Sequence, residues 1–140
     1  MSRVFWDTML LIYVLDGNPA YRRRSDELLV RARKRGDALF TSCLALGEIA
    51  SGTEKMSPQK PNFIRNVLRE MGFNFLPFDM GAVAPFSALR GREKLKIADS
   101  IHLACAASAG IDLFLTGDKQ LMRLDVPGIQ FIADFNSPIL

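Results

Sequence analysis

Four acidic residues stand among apolar or small neighbours at widely separated points of the 140-residue chain. Asp7 lies in FWDT, Glu48 in LGEIASG, Asp99 in IADSIHLACAA and Asp118 in LTGD. Singly, each fits an ordinary role, such as a first-turn helix residue, a turn residue or a residue on the polar side of a helix. Because isolated buried charges are costly, four acids in such surroundings are stronger evidence for a shared functional site than any one of them alone.

The four carboxylates could converge at one end of a folded sheet. Like charges about 4 Å apart repel by roughly 4 kcal/mol per pair at an effective dielectric near 20, so a converged cluster needs divalent cations. Hard oxygen ligands favour Mg²⁺ or Mn²⁺ over zinc. The residue types therefore predict a Mg²⁺ or Mn²⁺ site.

Other enzyme chemistries lack their residues. The chain has one histidine, His102, and no Cys/His set with zinc spacing. It contains neither GxGxxG nor GxxxxGK[ST], the loops that cradle phosphates. A phosphatase of the DxD type would need a second aspartate two residues after Asp7, where this chain has Met9. We interpret His102, one turn after Asp99, as a packing or supporting residue rather than a proton carrier.

Short apolar runs alternate with helical patterns along the chain, which predicts an α/β sandwich around a mostly parallel sheet. The predicted strands are residues 4–6, 38–41, 73–77, 113–116 and 129–132. The predicted helices are residues 10–15, 20–34, 42–51 with Ser42 as N-cap, 63–71, 79–89 with Asp79 as cap, 97–109 and 119–124. Ligands bind such sheets beyond the carboxyl ends of the strands, where Asp7 and Asp118 fall.

Composition indicates a single soluble domain over residues 1–140, with 49% hydrophobic and 24% charged residues. Cys43 and Cys105 have small apolar neighbours and are predicted to be reduced core residues, which favours a cytoplasmic location. Asp7 interrupts the N-terminal apolar region and the run at residues 9–15 is too short for a membrane span, so we expect neither export nor anchoring. The net charge of +3 is compatible with a polyanionic partner.

Four segments, in order, carry a resemblance over nearly the whole chain. They are FWDTMLLIYVL, LGEIASG, IADSIHLACAASAG and LFLTGDKQL. Together they resemble a PIN domain, in particular the toxin ribonucleases of VapBC-type toxin–antitoxin pairs. The resemblance implies a three-layer α/β/α sandwich with a mostly parallel sheet of about five strands, and a Mg²⁺- or Mn²⁺-dependent endoribonuclease acting on RNA. It also implies a cognate antitoxin protein and a homodimer.

The resemblance also implies roles for individual residues. The family's acidic positions match Asp7, Glu48, Asp99 and Asp118, and its supporting hydroxyls match Thr8 and Thr116. On this reading Asp7 and Asp99 bind metal directly, Asp118 binds a second ion or a metal-bound water, and Glu48 either completes the ligand set or orients the attacking water. Two other hypotheses stay open: a PIN nuclease of RNA processing without a toxin role, and a non-catalytic PIN-like module that binds RNA or protein.

Basic residues immediately precede the helix that carries Asp99. The candidates for RNA contact are Arg90, Arg92, Lys94 and Lys96. An acidic site repels a polyanion, so a cationic rim is needed beside it, although a solvated loop would look the same in sequence. Arg22, Arg23 and Arg24 form a rival group at the start of a peripheral helix, where solvent or a protein partner is the expected contact. On the helix of Asp99, the predicted buried stripe is Ile97, Ile101, Ala104 and Cys105.

Overall fold

The computed structural model describes residues 1–52, 59–92 and 94–137, and within these ranges five short strands form one parallel sheet. The strands are β1 (Arg3–Trp6), β2 (Ala38–Ser42), β3 (Phe73–Leu76), β4 (Leu113–Thr116) and β5 (Phe131–Asp134). Their order is β3-β2-β1-β4-β5, and every neighbouring pair is parallel. The chain thus builds one half of the sheet from β1 to β3, then returns beside β1. This places the topological switch point between β1 and β4, where α/β sheets bind ligands.

Helices cover both faces of the sheet. They are α1 (Thr8–Asp16), α2 (Pro19–Arg35), α3 (Cys43–Ser51), α4 (Lys60–Glu70), α5 (Met80–Arg92) and α6 (Ile97–Ala109), with a 3-10 turn at Leu121–Arg123. Side chains of α1 to α4 pack with Trp6 in one buried cluster, whereas α5 and α6 pack with Phe5 in another. Because alternate residues of a strand face opposite sides of the sheet, Trp6 packs in the first cluster and Phe5 in the second. The predicted three-layer α/β/α sandwich is confirmed.

Turn and cap residues set several element boundaries as predicted. Gly17 and Gly36 end α1 and α2 in left-handed conformations, and Gly110 ends α6 in the same way. The Ser42 hydroxyl accepts the Ala45 N–H at 3.0 Å and begins α3 as an N-cap. Asp79 accepts the Gly81 N–H at 3.0 Å at the start of α5.

Several predicted elements differ from those observed. The last strand is Phe131–Asp134 rather than 129–132. Ile129 is buried but belongs to the preceding turn, because its N–H donates to the Val126 carbonyl. Helix α4 begins at Lys60, since its proline occupies the first turn, where no N–H is needed. Helix α5 continues to Arg92, and the basic side chains of its last turn suit the negative end of the helix dipole. The predicted helix 119–124 is one 3-10 turn.

Two residues predicted to be buried are exposed. Cys43 is the first residue of α3 and faces solvent, whereas Cys105 is buried; both thiols are free. Ile97 is 60% exposed because it begins α6, ahead of the turns that the sheet and α5 cover. In the described part of the chain, none of the helices has the length and apolar character needed to cross a bilayer.

Candidate active site

The four predicted carboxylates line one cavity of about 550 Å³. Asp7 directly follows β1 and is the N-cap residue of α1, and Asp118 lies two residues beyond β4. Glu48 projects from α3, and Asp99 lies in the first turn of α6. Adjacent parallel strands and two flanking helices therefore bring together acids that are as far apart in sequence as Asp7 and Asp118.

A buried threonine joins the two acids at the strand ends. The Thr116 hydroxyl donates to Asp7 Oδ2 at 2.9 Å and accepts the Asp118 N–H at 3.0 Å. The other carboxylate oxygen of Asp7 accepts the Thr8 N–H at 2.8 Å. Asp118 in turn accepts the Gln120 N–H at 2.9 Å, so it is both a turn residue and a lining residue of the cavity. These bonds hold the end of β1 against the end of β4.

Glu48 is held by two donors from other elements. Its Oε1 atom accepts hydrogen bonds from Thr8 Oγ1 at 2.9 Å and from His102 Nε2 at 2.8 Å. The Glu48 side chain is 37% exposed, whereas the His102 side chain is 3% exposed. Glu48 therefore has a defined place at the cavity and is not an ordinary surface residue, and His102 supports it from below.

Asp99 shows that negative charge accumulates in the cavity. Burial raises the pKa of its carboxyl above the ordinary value of 3.8, and the charges of Asp7 and Asp118 raise it further. His102 and then Lys96, just before α6, act on the pKa of Asp99 in the opposite direction with smaller effects. Burial and the two neighbouring carboxylates thus both oppose ionisation of Asp99.

The atoms that could ligate a metal in this cavity are carboxylate and hydroxyl oxygens, and such oxygens suit a hard divalent cation. Among residues 1–52, 59–92 and 94–137, however, no group of three or more His, Cys, Asp or Glu residues is arranged so that it could hold an ion. Hydrogen bonds to Thr8, Thr116 and His102 hold the oxygens of Asp7 and Glu48. Binding an ion would therefore require the carboxylates to move inward, which their mutual repulsion opposes until the ion is present.

The basic candidates are distributed differently from the prediction. Lys96 lines the cavity and is exposed. Arg90 and Arg92 belong to the last turn of α5, not to a loop, and Arg90 donates to the Leu95 carbonyl at 2.6 Å. Lys94 lies exposed between the two helices. The structure thus places Lys96, but not the other three, at the rim of the acidic cavity.

The rival arginines on α2 have other partners. Arg22 and Arg23 face solvent and pair with Asp26 and Glu27 one turn later. Arg24 is mostly buried and donates to the carbonyls of Phe135 and Ser137 at 3.0 and 2.6 Å. Arg24 therefore ties α2 to the segment after β5.

Sequence reasoning missed two parts of the site. Met9, Ile12 and Tyr13 of α1 form an apolar wall of the cavity, and Met9 is 51% exposed there. Their i, i+3, i+4 spacing after Asp7 is the signal that could have identified this face. Ser42 was predicted only as a cap, yet it also hydrogen-bonds to His102. That contact spans 60 residues, and no local pattern encodes it.

The raised pKa of Asp99 predicts a pH dependence of stability in the metal-free protein. The folded state binds this proton more tightly than the unfolded chain, so Asp99 destabilises the fold as pH rises above about 3.8, and fully above the raised folded pKa. Asp99→Asn should therefore raise the melting temperature in EDTA at pH 7, with a gain that shrinks towards pH 4. Asp26→Asn on the exposed face of α2 is the control for loss of one charge. An equal or lower melting temperature for Asp99→Asn at pH 7 would contradict this electrostatic account.

Comparison with known proteins gives a family and a fold. The sequence profile of the PIN domain family matches residues 4–127. The structure is similar to DNA-bound VapBC from Salmonella typhimurium, with a TM-score of 0.70, 22% identity and coverage of 96% of this chain and 99% of that chain. VapBC2 from Rickettsia felis bound to a promoter DNA fragment gives a TM-score of 0.70 at 13% identity, covering 94% and 98%.

A toxin–antitoxin complex from Klebsiella pneumoniae gives a TM-score of 0.64 at 24% identity, covering 90% of this chain and 94% of that chain. No curated protein matches the sequence significantly. At these identities the structural likenesses show the fold, whereas the family profile spans most of the chain. The chain belongs to the PIN domain family.

Proposed function

We propose that this protein is a Mg²⁺- or Mn²⁺-dependent endoribonuclease and the toxin of a toxin–antitoxin pair. The observation that carries the proposal is the convergence of Asp7, Glu48, Asp99 and Asp118 from four elements on one cavity at the sheet's switch point. PIN domains are typically nucleases, which supports phosphodiester cleavage as the reaction. All four acids of the family pattern are present, which argues against a non-catalytic module.

In this proposal Asp7, Asp99 and Asp118 would hold the metal. A bound divalent cation supplies a water of lowered pKa and offsets charge that builds up on the scissile phosphate. Thr116 keeps Asp7 and Asp118 adjacent through its two hydrogen bonds. Both donors to Glu48 reach Oε1, so Oε2 would accept the proton of the attacking water.

Lys96 would bring the RNA backbone to the acids. It lies at the rim of the cavity and its charge already acts on Asp99. A cation in that position offsets the repulsion between a phosphate and the carboxylates during approach. Arg92 and Lys94 would extend this path, since both are exposed near the start of α6.

The toxin role draws on the structural neighbours. Those from Salmonella and Rickettsia are VapBC proteins bound to DNA, and that from Klebsiella is a toxin–antitoxin complex. These neighbours support a cognate antitoxin as the partner of this chain. We also propose a homodimer and a cytoplasmic location; the free thiols of Cys43 and Cys105 suit a reducing compartment.

Divalent metal should stabilise the fold. A ligand that binds only the native state adds about 2.7 kcal/mol at a hundredfold excess over its Kd. We expect the melting temperature of the wild type to rise by several degrees with Mn²⁺ or Mg²⁺, and Asp7→Asn to lose most of that rise. Asp26→Asn should keep it. Absence of both a thermal shift and Mn²⁺ binding by calorimetry in the wild type would show that the cavity is not a metal site.

Cleavage of RNA should depend on the carboxylates and on metal. Asp7→Asn, Asp99→Asn and Glu48→Gln should each lower kcat by at least about a hundredfold, because groups that act as a unit fail together. Circular dichroism would verify that each variant is folded, and Asp26→Asn should retain activity. Metal-independent cleavage would refute the mechanism, and RNA binding without cleavage by the wild type would favour the non-catalytic module.

The toxin role requires a separate measurement. Induced expression of the wild type in a bacterial host should arrest growth, whereas Asp99→Asn at the same protein level should not. Full nuclease activity with unaffected growth would instead favour a nuclease of RNA processing.

RNA affinity should depend on Lys96 through charge. In an Asp99→Asn background that cannot cleave, Lys96→Ala should weaken binding and reduce the salt slope by roughly 0.7 for one phosphate contact on single-stranded RNA. Lys34→Ala is the matched control, since Lys34 is exposed on α2 before β2, at the opposite end of the sheet. Equal affinity and slope in the two variants would place the RNA path elsewhere.

A further inference from the structure

A chain of hydrogen bonds runs beneath Glu48 through the molecule's single histidine. Ser42 Oγ lies 2.7 Å from His102 Nδ1, and His102 Nε2 lies 2.8 Å from Glu48 Oε1. Ser42 is fully buried and His102 is 2% exposed. The imidazole thus connects the end of β2 to a carboxylate on the cavity and is almost closed to solvent itself.

The partners of the ring determine where its hydrogen lies. An ionised carboxylate only accepts hydrogen bonds, so His102 Nε2 must donate to Glu48. Thr8 Oγ1, which lies 3.3 Å from the same nitrogen, uses its one hydrogen for Glu48. On the other side, the Ser42 oxygen accepts the Ala45 N–H at 3.0 Å, and its own hydrogen is available for donation to Nδ1 at 2.7 Å. These contacts are satisfied by a ring that carries a hydrogen on Nε2 and accepts the Ser42 hydrogen at Nδ1.

The Ser42 hydroxyl therefore contacts both α3 and His102. As N-cap it begins α3, the helix that presents Glu48 six residues later. Its contact with His102 Nδ1 also holds the imidazole ring whose other nitrogen donates to the Glu48 carboxylate. Because α6 carries His102 and α3 carries Glu48, the same contacts fix the two helices relative to each other at the cavity.

We propose that His102 is a positioning residue that holds Glu48 in its working orientation, with Ser42 holding the other side of the imidazole ring. The inference rests on the proposed nuclease function and extends it to residues beneath the carboxylates. His102 acts through Glu48 and needs no contact with RNA. Since Thr8 is a second donor to the same oxygen, loss of His102 leaves Glu48 partly held. The cost is therefore smaller than that of removing a carboxylate, on the order of 10–100-fold, as for residues that orient metal ligands elsewhere.

The tautomer can be measured without any reaction. In ¹⁵N-labelled, metal-free protein the single histidine gives one imidazole pattern in long-range ¹H–¹⁵N spectra. We expect the Nε2–H form in the wild type. Ser42→Gly, a change that an N-cap tolerates at a cost of a few tenths of a kcal/mol, should keep this form because Nε2 still faces Glu48, but the ¹⁵N resonance of Nδ1 should move to higher chemical shift because that nitrogen loses its hydrogen-bond donor. Ser25→Ala removes an equally buried hydroxyl on α2 and should leave the pattern unchanged. An Nδ1–H ring or an imidazolium in the wild type would overturn the assignment.

Kinetics separate positioning from packing. The amide nitrogen of glutamine can occupy the place of Nε2, whereas that of asparagine lies nearer Nδ1. We expect His102→Asn to lower kcat by 10–100-fold with little change in KM for RNA, and His102→Gln to recover most of that loss. Equal losses in the two folded variants, or a change in melting temperature alone, would refute the positioning role. If the wild type does not cleave RNA, the proposed function fails, while the imidazole spectra still decide the hydrogen-bond assignment.

Discussion

Repulsion between carboxylates that share one cavity is the constraint on which the rest of this site depends. Burial raises the pKa of Asp99, and the charges of Asp7 and Asp118 are close enough to raise it further. The fold meets this constraint with hydrogen-bond donors to the carboxylates that come from several elements. They are the hydroxyls of Thr8 and Thr116, the imidazole of His102 and the backbone N–H groups of Thr8 and Gln120. The acids are therefore kept near one another without being forced into contact.

The sheet order makes this arrangement possible. Because β4 returns beside β1, the residues after both strands open onto the same crevice, and α1 begins at its edge with Asp7 as its cap. Helices α3 and α6 bring Glu48 and Asp99 to it from the two faces of the sheet. The four acids therefore come from four different points of the fold.

The sequence predicted the parts of the fold and site that local patterns encode. Short apolar runs located the first four strands, and cap residues such as Ser42 and Gly110 located helix ends. The prediction was wrong where burial did not follow the local pattern. Ile129 is buried although it lies in a turn before β5, and Cys43 faces solvent although its sequence neighbours are apolar. The contact between Ser42 and His102 depends on two helices meeting, and spacing along the chain carries no trace of it.

The parallel sheet also has a temporal consequence during synthesis. Val4 of β1 pairs with Leu113 of β4, 109 residues further along, and parallel strands cannot close by a local hairpin. A nascent chain in which β4 has not yet emerged from the ribosome lacks the hydrogen bonds of Thr116 and the carboxylate of Asp118 at the site. The N-terminal half can pair β1 with β2 and bring Thr8 to Glu48, but the ribosome must deliver almost the whole sheet before the four acids face one another. The acidic centre is thus a late product of translation, which postpones any activity of the emerging polypeptide.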